Sequence, residues 1–267
     1  MYKELIAKSW KDVRQNLVLI VPNLMFIALL LASGFLFVIL SGLSEIFMQL
    51  TAMQGNQERI TAYLQSITIS NVGAIIGYGL VWIMLLFVGF FLARAVTLGM
   101  MADLIKKKKP VLGNASQYIK KYFWRLIGLN ISVMFVFFLA VVLSVVVGIM
   151  ASLITVFIIP LIVICAVIGI LWLYCIFFFS KQVLLCENKT AIEAMKESKK
   201  VFTQNKKGMI KSILVVWGIT IIVSLILSGV GLIPFIGAIV EQIGFLVLSV
   251  WAELFTFYMY SKRKELK

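Results

Sequence analysis

Residues 72–99 read VGAIIGYGLVWIMLLFVGFFLARAVTLG, and Arg94 is the only charged residue in this stretch. A helix needs about 20 apolar residues to cross a bilayer core about 30 Å thick, so the stretch predicts a transmembrane helix. Four consecutive lysines, Lys106–Lys109, follow a helical continuation that reaches Ile105. An apolar run that ends in a basic cluster is the pattern that indicates the fold, and it recurs along the chain.

The rest of the chain contains five more apolar runs that are long enough to cross a bilayer. They are 17–39, 126–150, 152–179, 209–227 and 239–260. Apolar residues make up 62% of the chain, against about 45–50% in a soluble domain. The sequence therefore predicts an all-α, polytopic membrane protein with six transmembrane helices. Apolar residues at helical spacing after the first span predict helical extensions around a break at Gly55 and Asn56.

The basic residues indicate which ends of the spans face the cytoplasm. They cluster before the first span and after the second, fourth and sixth spans. The turns after the third and fifth spans contain no Lys or Arg, and Arg59 is the only basic residue in 41–71. With six spans all the clusters lie on one side, which the positive-inside rule makes cytoplasmic. The chain is thus predicted to be a multi-pass protein of the cell membrane with both termini in the cytoplasm.

Two segments that precede a span resemble each other. Ser9–Asn16 matches Ser198–Asn205 at Ser, Lys, Gln and Asn, and both segments are amphipathic at helical spacing. Thr190 and Glu193 have the spacing of a capping box, which predicts the start of the second helix. A weaker third copy runs through 115–124.

The repeated segments predict a single transmembrane domain, 1–267, built from three units. The units are 1–110, 111–186 and 187–267, each an interfacial amphipathic helix followed by a two-span hairpin. Such helices bury an apolar face at the headgroup boundary and place basic residues near anionic lipid. Candidate anionic-lipid contacts are Lys106, Lys107, Lys108, Lys109, Lys120, Lys121, Lys199 and Lys200, and candidate interfacial anchors are Trp10 and Trp124.

Several of these features together resemble a known family. They are the opening Ala7–Asn16, which leads into Pro22, then Arg94–Gly99, Ala191–Ser198 and the aromatic final span with its acidic residue. The chain resembles the membrane domain fused to some glycerophosphodiester phosphodiesterases and its stand-alone bacterial and archaeal relatives of unknown function. The phosphodiesterase barrel has no counterpart in this sequence. The resemblance therefore implies a membrane fold and a connection with lipid, but no activity.

Two ionisable residues, Arg94 and Glu253, fall inside predicted spans, where a charge is costly. Both are predicted in the half of the membrane near the basic clusters, facing the interior of the bundle, where they would pair. Glu253 also belongs to a polar stripe on one helix face with Gln242, Ser249, Thr256 and Tyr260. One interpretation is a set of contacts that fixes helix packing. The other is a polar site for an ion, a proton or a lipid headgroup.

The sequence predicts no enzyme, cofactor or metal site. It contains no histidine, the usual general base, and its three cysteines lack metal-ligand or redox spacing. The net charge is +14, and the basic residues that produce it lie in clusters between the apolar runs. This arrangement favours membrane lipids with anionic headgroups over nucleic acid as partners. The predicted function is a non-enzymatic protein that organises lipid or a partner protein at the cytoplasmic leaflet, with a homo-oligomer or another membrane protein as further partners. The alternative is a small transporter or channel-like protein with a polar site near Arg94 and Glu253.

Overall fold

The computed structural model describes residues 2–53, 57–66, 69–152, 159–234 and 236–265. In these residues the regular elements are α-helices and two short 3₁₀ helices, with no strand. The α-helices are α1 Tyr2–Gln15, α2 Val21–Leu40, α3 Leu43–Ala52, α4 Gln57–Ser66, α5 Ile69–Ile105, α6 Ala115–Ser152, α7 Ile159–Phe177, α8 Ser180–Cys186, α9 Ala191–Gln204, α10 Lys206–Gly231 and α11 Ile236–Glu265. The 3₁₀ helices are Leu17–Leu19 and Leu112–Asn114.

Six stretches of described residues are long and apolar enough to cross a membrane. They are Leu17–Leu40, Val72–Ile105, Leu112–Ala151, Ile159–Cys186, Lys206–Gly231 and Ile236–Lys262. The prediction of an all-α membrane protein with six transmembrane helices is confirmed. The predicted break at Gly55 and Asn56 lies outside the described residues, as do residues 153–158 between the third and fourth spans.

Large apolar side chains cover the outer surface of the spans. Met84 is 70% exposed, Phe35 and Leu225 are each 69% exposed, and many neighbours on the same helices are similar. Such side chains would be buried in a soluble domain, whereas lipid tails accept them at no cost. Their exposure fits helices that are surrounded by lipid.

The segment predicted as a third, weaker copy of the surface helices is continuous with a span. Residues 115–124 form the first turns of α6, which continues without interruption to Ser152. No glycine or proline occurs between Ala115 and Ile127 that would end or kink the helix there. α6 contains 38 residues, so it is about 57 Å long at about 1.5 Å per residue and exceeds the bilayer core.

The chain forms two compact units. The larger comprises Met1–Ile20 and Ala95–Lys267, and the smaller comprises Val21–Arg94. α5 contributes its first part to the smaller unit and its last part, from Ala95, to the larger. The division into units 1–110, 111–186 and 187–267 stays a prediction.

In the smaller unit α2 and α5 pack through aromatic side chains. The rings of Phe37 and Trp82 stack with centroids 5.1 Å apart and planes 5° apart. The Trp82 Nε1–H donates a hydrogen bond to Ser33 Oγ over 3.1 Å. Gly89 allows the helices to approach, since a Cβ there would lie 2.7 Å from Leu29 Cδ2. The indole hydrogen bond gives this apolar contact a defined register.

α11 lies at the centre of the larger unit. In its most apolar stretch of 18 residues, 33% of the residues are buried, whereas the corresponding stretches of the other spans are 0–11% buried. Leu254, Phe255 and Phe257 are fully buried, and Trp251 stacks on Phe255 with ring centroids 5.4 Å apart. α1 packs against α11, and α9 packs against α6, α7 and α8. The end of the larger unit at which α1, α8 and α9 lie is called the basic end below.

Tyr118 joins α5 to α6 within the larger unit. Its ring lies directly over Gly99, where a Cβ would be only 2.7 Å from Tyr118 Cγ and Cδ1. Its hydroxyl donates a hydrogen bond to Asp103 Oδ2 over 2.6 Å. Gly99 and Asp103 are four residues apart on α5, so both face the same side of the helix. This contact places the first turns of α6 against the last turns of α5.

Candidate functional site

The two segments that the sequence comparison aligned form helices of equal length. α1 and α9 each contain 14 residues. α1 buries Leu5, Ser9 and Val13. α9 buries the three residues at the aligned positions, which are Ala194, Ser198 and Phe202. The two helices therefore use the same face against the rest of the larger unit.

The start of α9 is the capping box that the sequence predicted. The Glu193 N–H donates to Thr190 Oγ1, and the Thr190 N–H donates to Glu193 Oε2 over 2.9 Å. The Thr190 backbone N–H, followed by its hydroxyl, lowers the pKa of the Glu193 carboxyl. Ser198 Oγ donates to the Ile176 carbonyl over 2.6 Å, which attaches the middle of α9 to α7. The helix is thus held at its start and at its centre.

A small charged network joins α9 to the ends of α8 and α11. Lys189 Nζ lies 2.8 Å from Glu187 Oε2 and 3.4 Å from Glu197 Oε2. The hydrogen bond to Glu187 is the main cause of the raised pKa of Lys189. The Tyr260 hydroxyl donates a hydrogen bond to Glu187 Oε1. Glu187 and Lys189 lie in the turn between α8 and α9, and the network joins this turn to α9 through Glu197 and to α11 through Tyr260.

α1 is attached through polar contacts of its own. The Tyr258 hydroxyl of α11 donates a hydrogen bond to Asp12 Oδ2. Lys8 Nζ lies 4.5 Å from the centre of the Tyr258 ring. Tyr2 and Ser212 hydroxyls are 3.0 Å apart, which joins α1 to α10. These contacts leave the opposite face of α1 exposed.

The predicted lipid contacts lie at the surface. All eight predicted lysines are exposed. Of the predicted interfacial anchors, Trp10 is 44% exposed and Trp124 is 75% exposed. An exposed tryptophan near charged residues is typical of a membrane–water interface, where the ring is apolar and the N–H is solvated. Their positions leave these side chains accessible to lipid.

Apolar grooves lie beneath both surface helices. The groove at α9 has a volume of about 360 Å³ and is lined by Ser132, Phe135, Val136, Phe177, Ile192, Met195, Lys196 and Lys199. The groove at α1 has a volume of about 420 Å³ and is lined by Ile6, Trp10, Ile219, Val223, Leu227, Gly244, Val247, Leu248 and Trp251. Ile6 and Trp10 align with Met195 and Lys199. The two grooves thus use equivalent positions, but only the groove at α9 has lysines in its lining.

A polar cavity of about 340 Å³ lies within the larger unit, at the level of α8. It is lined by Leu129, Asn130, Val133, Phe137, Tyr174, Phe177, Phe178, Ser180, Lys181, Gln182, Val216, Ala252, Glu253 and Thr256. Gln182 Nε2 donates to Thr256 Oγ1 over 2.6 Å in a buried hydrogen bond. Gln182 Oε1 and Ser180 Oγ are buried and have no hydrogen-bond partner among the described residues. Two polar side-chain atoms of residues that line the cavity are therefore buried in an otherwise apolar bundle without a hydrogen-bond partner among the described residues.

Sequence reasoning identified two residues of this cavity, Glu253 and Thr256, and missed the others. In the sequence, Lys181 belongs to the basic cluster that follows the predicted fourth span, and Gln182 stands next to it in the same connection. The signal was the polar triplet at 180–182, which follows the aromatic end of α7 and forms a buried helix instead of a loop. Span four is interrupted at this point, because α7 ends at Phe177 and α8 begins at Ser180.

The other predicted intramembrane residues do not line the cavity. Gln242 and Ser249 are exposed, and Ser249 Oγ donates to the Leu246 carbonyl over 2.8 Å. Arg94 belongs to the smaller unit, where its guanidinium lies 5.5 Å from the centre of the Phe90 ring. The pairing of Arg94 with Glu253 stays a prediction.

The fold and the apolar surface define a helical membrane protein with six candidate spans. Within that class the chain belongs to the DUF7847 family, a domain of unknown function, which matches residues 4–261. No curated protein and no solved structure matches the chain.

Proposed function

We propose that this protein is a non-enzymatic component of the cell membrane that organises lipid at the cytoplasmic leaflet, with both termini in the cytoplasm. The single observation that carries the proposal is the pair of related surface helices, α1 and α9, which bury equivalent positions. Lysines that remain exposed beside a headgroup boundary attract anionic lipid by about 1 kcal/mol each. A relationship to the membrane domain of glycerophosphodiester phosphodiesterases is part of the proposal and rests on the Ala7–Asn16 and Ala191–Ser198 motifs.

The groove at α9 is the proposed contact for an anionic lipid. Lys196 and Lys199 are three residues apart and therefore lie on one side of the helix. Phe135, Val136 and Phe177 supply an apolar surface for an acyl chain. The lysine stems contribute to that surface while their ammonium groups reach the phosphate. The groove thus offers ammonium groups to the phosphate of a phospholipid and an apolar surface to its acyl chain.

The test is lipid retention by the purified full chain. Delipidated protein is exposed to equal amounts of phosphatidylglycerol and phosphatidylcholine, and the bound lipid is measured by native mass spectrometry. Lys196→Gln with Lys199→Gln is expected to weaken phosphatidylglycerol binding roughly 30-fold, which corresponds to about 2 kcal/mol for two charges. Lys207→Gln with Lys262→Gln is the control, because it removes the same charge from exposed positions that lie outside the groove and are not among the predicted lipid contacts. Equal retention of the two lipids by the wild type contradicts the proposal.

A second candidate function is a small transporter or channel-like protein, and the polar cavity favours it. Lys181, Gln182 and Glu253 come together beside an interruption of span four. Interrupted helices supply binding sites in many transporters. In proteoliposomes, Glu253→Gln is expected to abolish any ion or solute flux that the wild type supports. Absence of flux from wild-type proteoliposomes for cations, anions and protons would leave the lipid role as the better account.

A further inference from the structure

The turn that follows α5 carries four consecutive lysines, Lys106–Lys109, and all four side chains are exposed. The Lys107 N–H donates to the Leu104 carbonyl over 3.0 Å, and the Lys108 N–H donates to the Asp103 carbonyl over 2.9 Å. This pair of hydrogen bonds is a Schellman motif, which places the residue after the helix in the left-handed conformation. Lys107 is that residue, with a φ of 60°. Residues 106–109 are called the lysine turn below.

Lysine is an unfavourable residue at the left-handed position of this turn. Glycine is the usual residue there, because a Cβ makes the left-handed conformation unfavourable. Among the described residues the other non-glycine residue with a positive φ is Asn188, and asparagine tolerates that conformation. A cation near a helix C-terminus interacts favourably with the helix dipole, but Lys106 and Lys108 supply such charges without the strain. The charge at Lys107 is therefore present at the expense of stability, which points to a use for it.

The lysine turn lies well outside the apolar part of the bundle. Tyr118 of α6 packs over Gly99 of α5, and its hydroxyl reaches Asp103, one turn nearer the end of α5. The two helices therefore run antiparallel here, with Tyr118 and Gly99 at one level. The apolar run of α6 begins at Leu126, about 12 Å from Tyr118, and Lys106 is about 10 Å from Gly99 in the opposite direction, at about 1.5 Å per residue. The lysine turn thus lies about 22 Å from the start of the apolar run.

This distance favours a soluble partner for the lysine turn, although the sequence predicted lipid. The headgroup layer extends only about 5–8 Å beyond each side of the apolar core. The turn is therefore roughly 15 Å outside that layer, farther than the Debye length of about 8 Å over which anionic lipid attracts a cation. Lys121, in contrast, is only about 8 Å from Leu126 along α6, so it stays at the level of the headgroups.

The residues around the lysine turn narrow the class of partner. Four ammonium groups complement a partner that carries several negative charges. Single-stranded nucleic acids bind through aromatic stacking and arginine as well as through charge, but residues 106–114 contain no aromatic residue and no arginine. Val111, two residues after the lysine turn, is 45% exposed and offers an apolar contact. A peptide segment can use both the ammonium groups and this valine.

We propose that the lysine turn is a docking surface for a carboxylate-rich segment of a soluble protein. Aspartate or glutamate side chains of that segment pair with Lys106–Lys109, and an apolar side chain packs on Val111. The inference goes beyond the lipid role of the groove at α9. It rests on the proposed orientation only for the side of the membrane on which the partner lies, so either proposal can fail without the other.

The test is peptide binding by the full-length protein in phosphatidylcholine nanodiscs. The probe is a fluorescein-labelled peptide of eight glutamates and one leucine, and binding is measured by fluorescence anisotropy. Replacing all four lysines of the turn by glutamine is expected to weaken binding at least tenfold. The control replaces four exposed lysines outside the turn by glutamine, which are Lys120, Lys121, Lys199 and Lys200, and is expected to change binding by about twofold or less.

Three outcomes overturn the proposal. The first is an equal loss of peptide binding in the two fourfold variants, which shows attraction by net charge alone. The second is tighter binding of an eight-nucleotide deoxythymidine strand than of the peptide, which favours nucleic acid. The third is a tenfold loss of phosphatidylglycerol retention in the variant of the lysine turn, which favours lipid.

Single glycine variants separate the strain at Lys107 from its charge. Lys107→Gly relieves the strain and removes one charge, so its unfolding midpoint is expected to rise while peptide binding weakens about two- to threefold. Lys108→Gly is the matched control, because Lys108 has no positive φ. It loses the same charge without relief of strain, so its midpoint is expected to fall. Unchanged peptide binding in both variants, or a lower midpoint for Lys107→Gly, contradicts the proposal.

Discussion

Replacing Gly99 by alanine is expected to loosen the contact between α5 and α6. A Cβ at Gly99 would lie 2.7 Å from Tyr118 Cγ and Cδ1 and 2.9 Å from Tyr118 Cβ. Carbon atoms in contact normally lie about 3.5–4.0 Å apart. Relief therefore needs a movement of about 1 Å. A rotation of the ring cannot supply it, because the contact includes Tyr118 Cβ, which moves only with the backbone.

The magnitude follows from two opposing effects. Overpacking of this kind costs about 1–3 kcal/mol. Alanine in a helix interior is favoured over glycine by about 0.5–1 kcal/mol. The expected net loss for Gly99→Ala is therefore up to roughly 2.5 kcal/mol. At about 2–4 °C per kcal/mol, the unfolding midpoint should fall by up to roughly 10 °C.

The assay is thermal unfolding of the detergent-purified protein, followed by circular dichroism. Gly77→Ala is the control. Gly77 lies on the same helix as Gly99, and a Cβ there would have no neighbouring atom within 4 Å. That variant experiences only the favourable helix effect, so its midpoint should equal or exceed that of the wild type. A Gly99→Ala protein as stable as the Gly77→Ala protein would refute the reasoning.

Three further predictions concern the charged and polar contacts. Tyr258→Phe removes the hydrogen bond to Asp12 and should cost about 1.5–3 kcal/mol, with faster proteolysis of α1 as the readout. The pKa of the Glu193 carboxyl is lower in the folded protein than its ordinary value of 4.5. The stabilisation from the ionised carboxylate is therefore fully present above pH 4.5, and it is lost as the pH falls through the pKa of the folded protein. The unfolding midpoint of wild type should therefore exceed that of Glu193→Gln at neutral pH and converge with it in acid; a constant gap contradicts this. If Arg94 and Glu253 pair, as the sequence predicts, single Gln variants should each lower the midpoint and the double variant should recover part of the loss, whereas additive losses reject the pair.

The capping box at Thr190 and Glu193 was predictable because it depends on four adjacent residues and on local backbone geometry. The continuity of α6 was predictable in principle, since no breaker separates 115–124 from the span. The segment nevertheless resembles the other two surface helices in sequence. Amphipathic character alone does not distinguish a separate interfacial helix from the exposed first turns of a long span.

The buried face of α1 and α9 was only partly predictable. The sequence comparison aligned the helices, and the structure buries Ser9 and Ser198 in equivalent places. The sequence does not predict which atom accepts the hydrogen bond of a serine on an apolar face. For Ser198 the acceptor is the Ile176 carbonyl at the end of α7. A tertiary hydrogen bond of this kind depends on where two helices meet, and that is not encoded in the periodicity of either one.

The sequence by itself determined that this is a membrane protein with six helical spans and where the basic clusters lie between them. Hydropathy and charge act locally, because each span must satisfy its own backbone hydrogen bonds and each lysine must stay near water. Only the tertiary structure decided that Lys181, Gln182, Glu253 and Thr256 share one cavity. Lys181 and Gln182 lie on α8, whereas Glu253 and Thr256 lie on α11. Which helix faces meet depends on side-chain packing over the whole bundle, because lipid solvates every apolar face equally well.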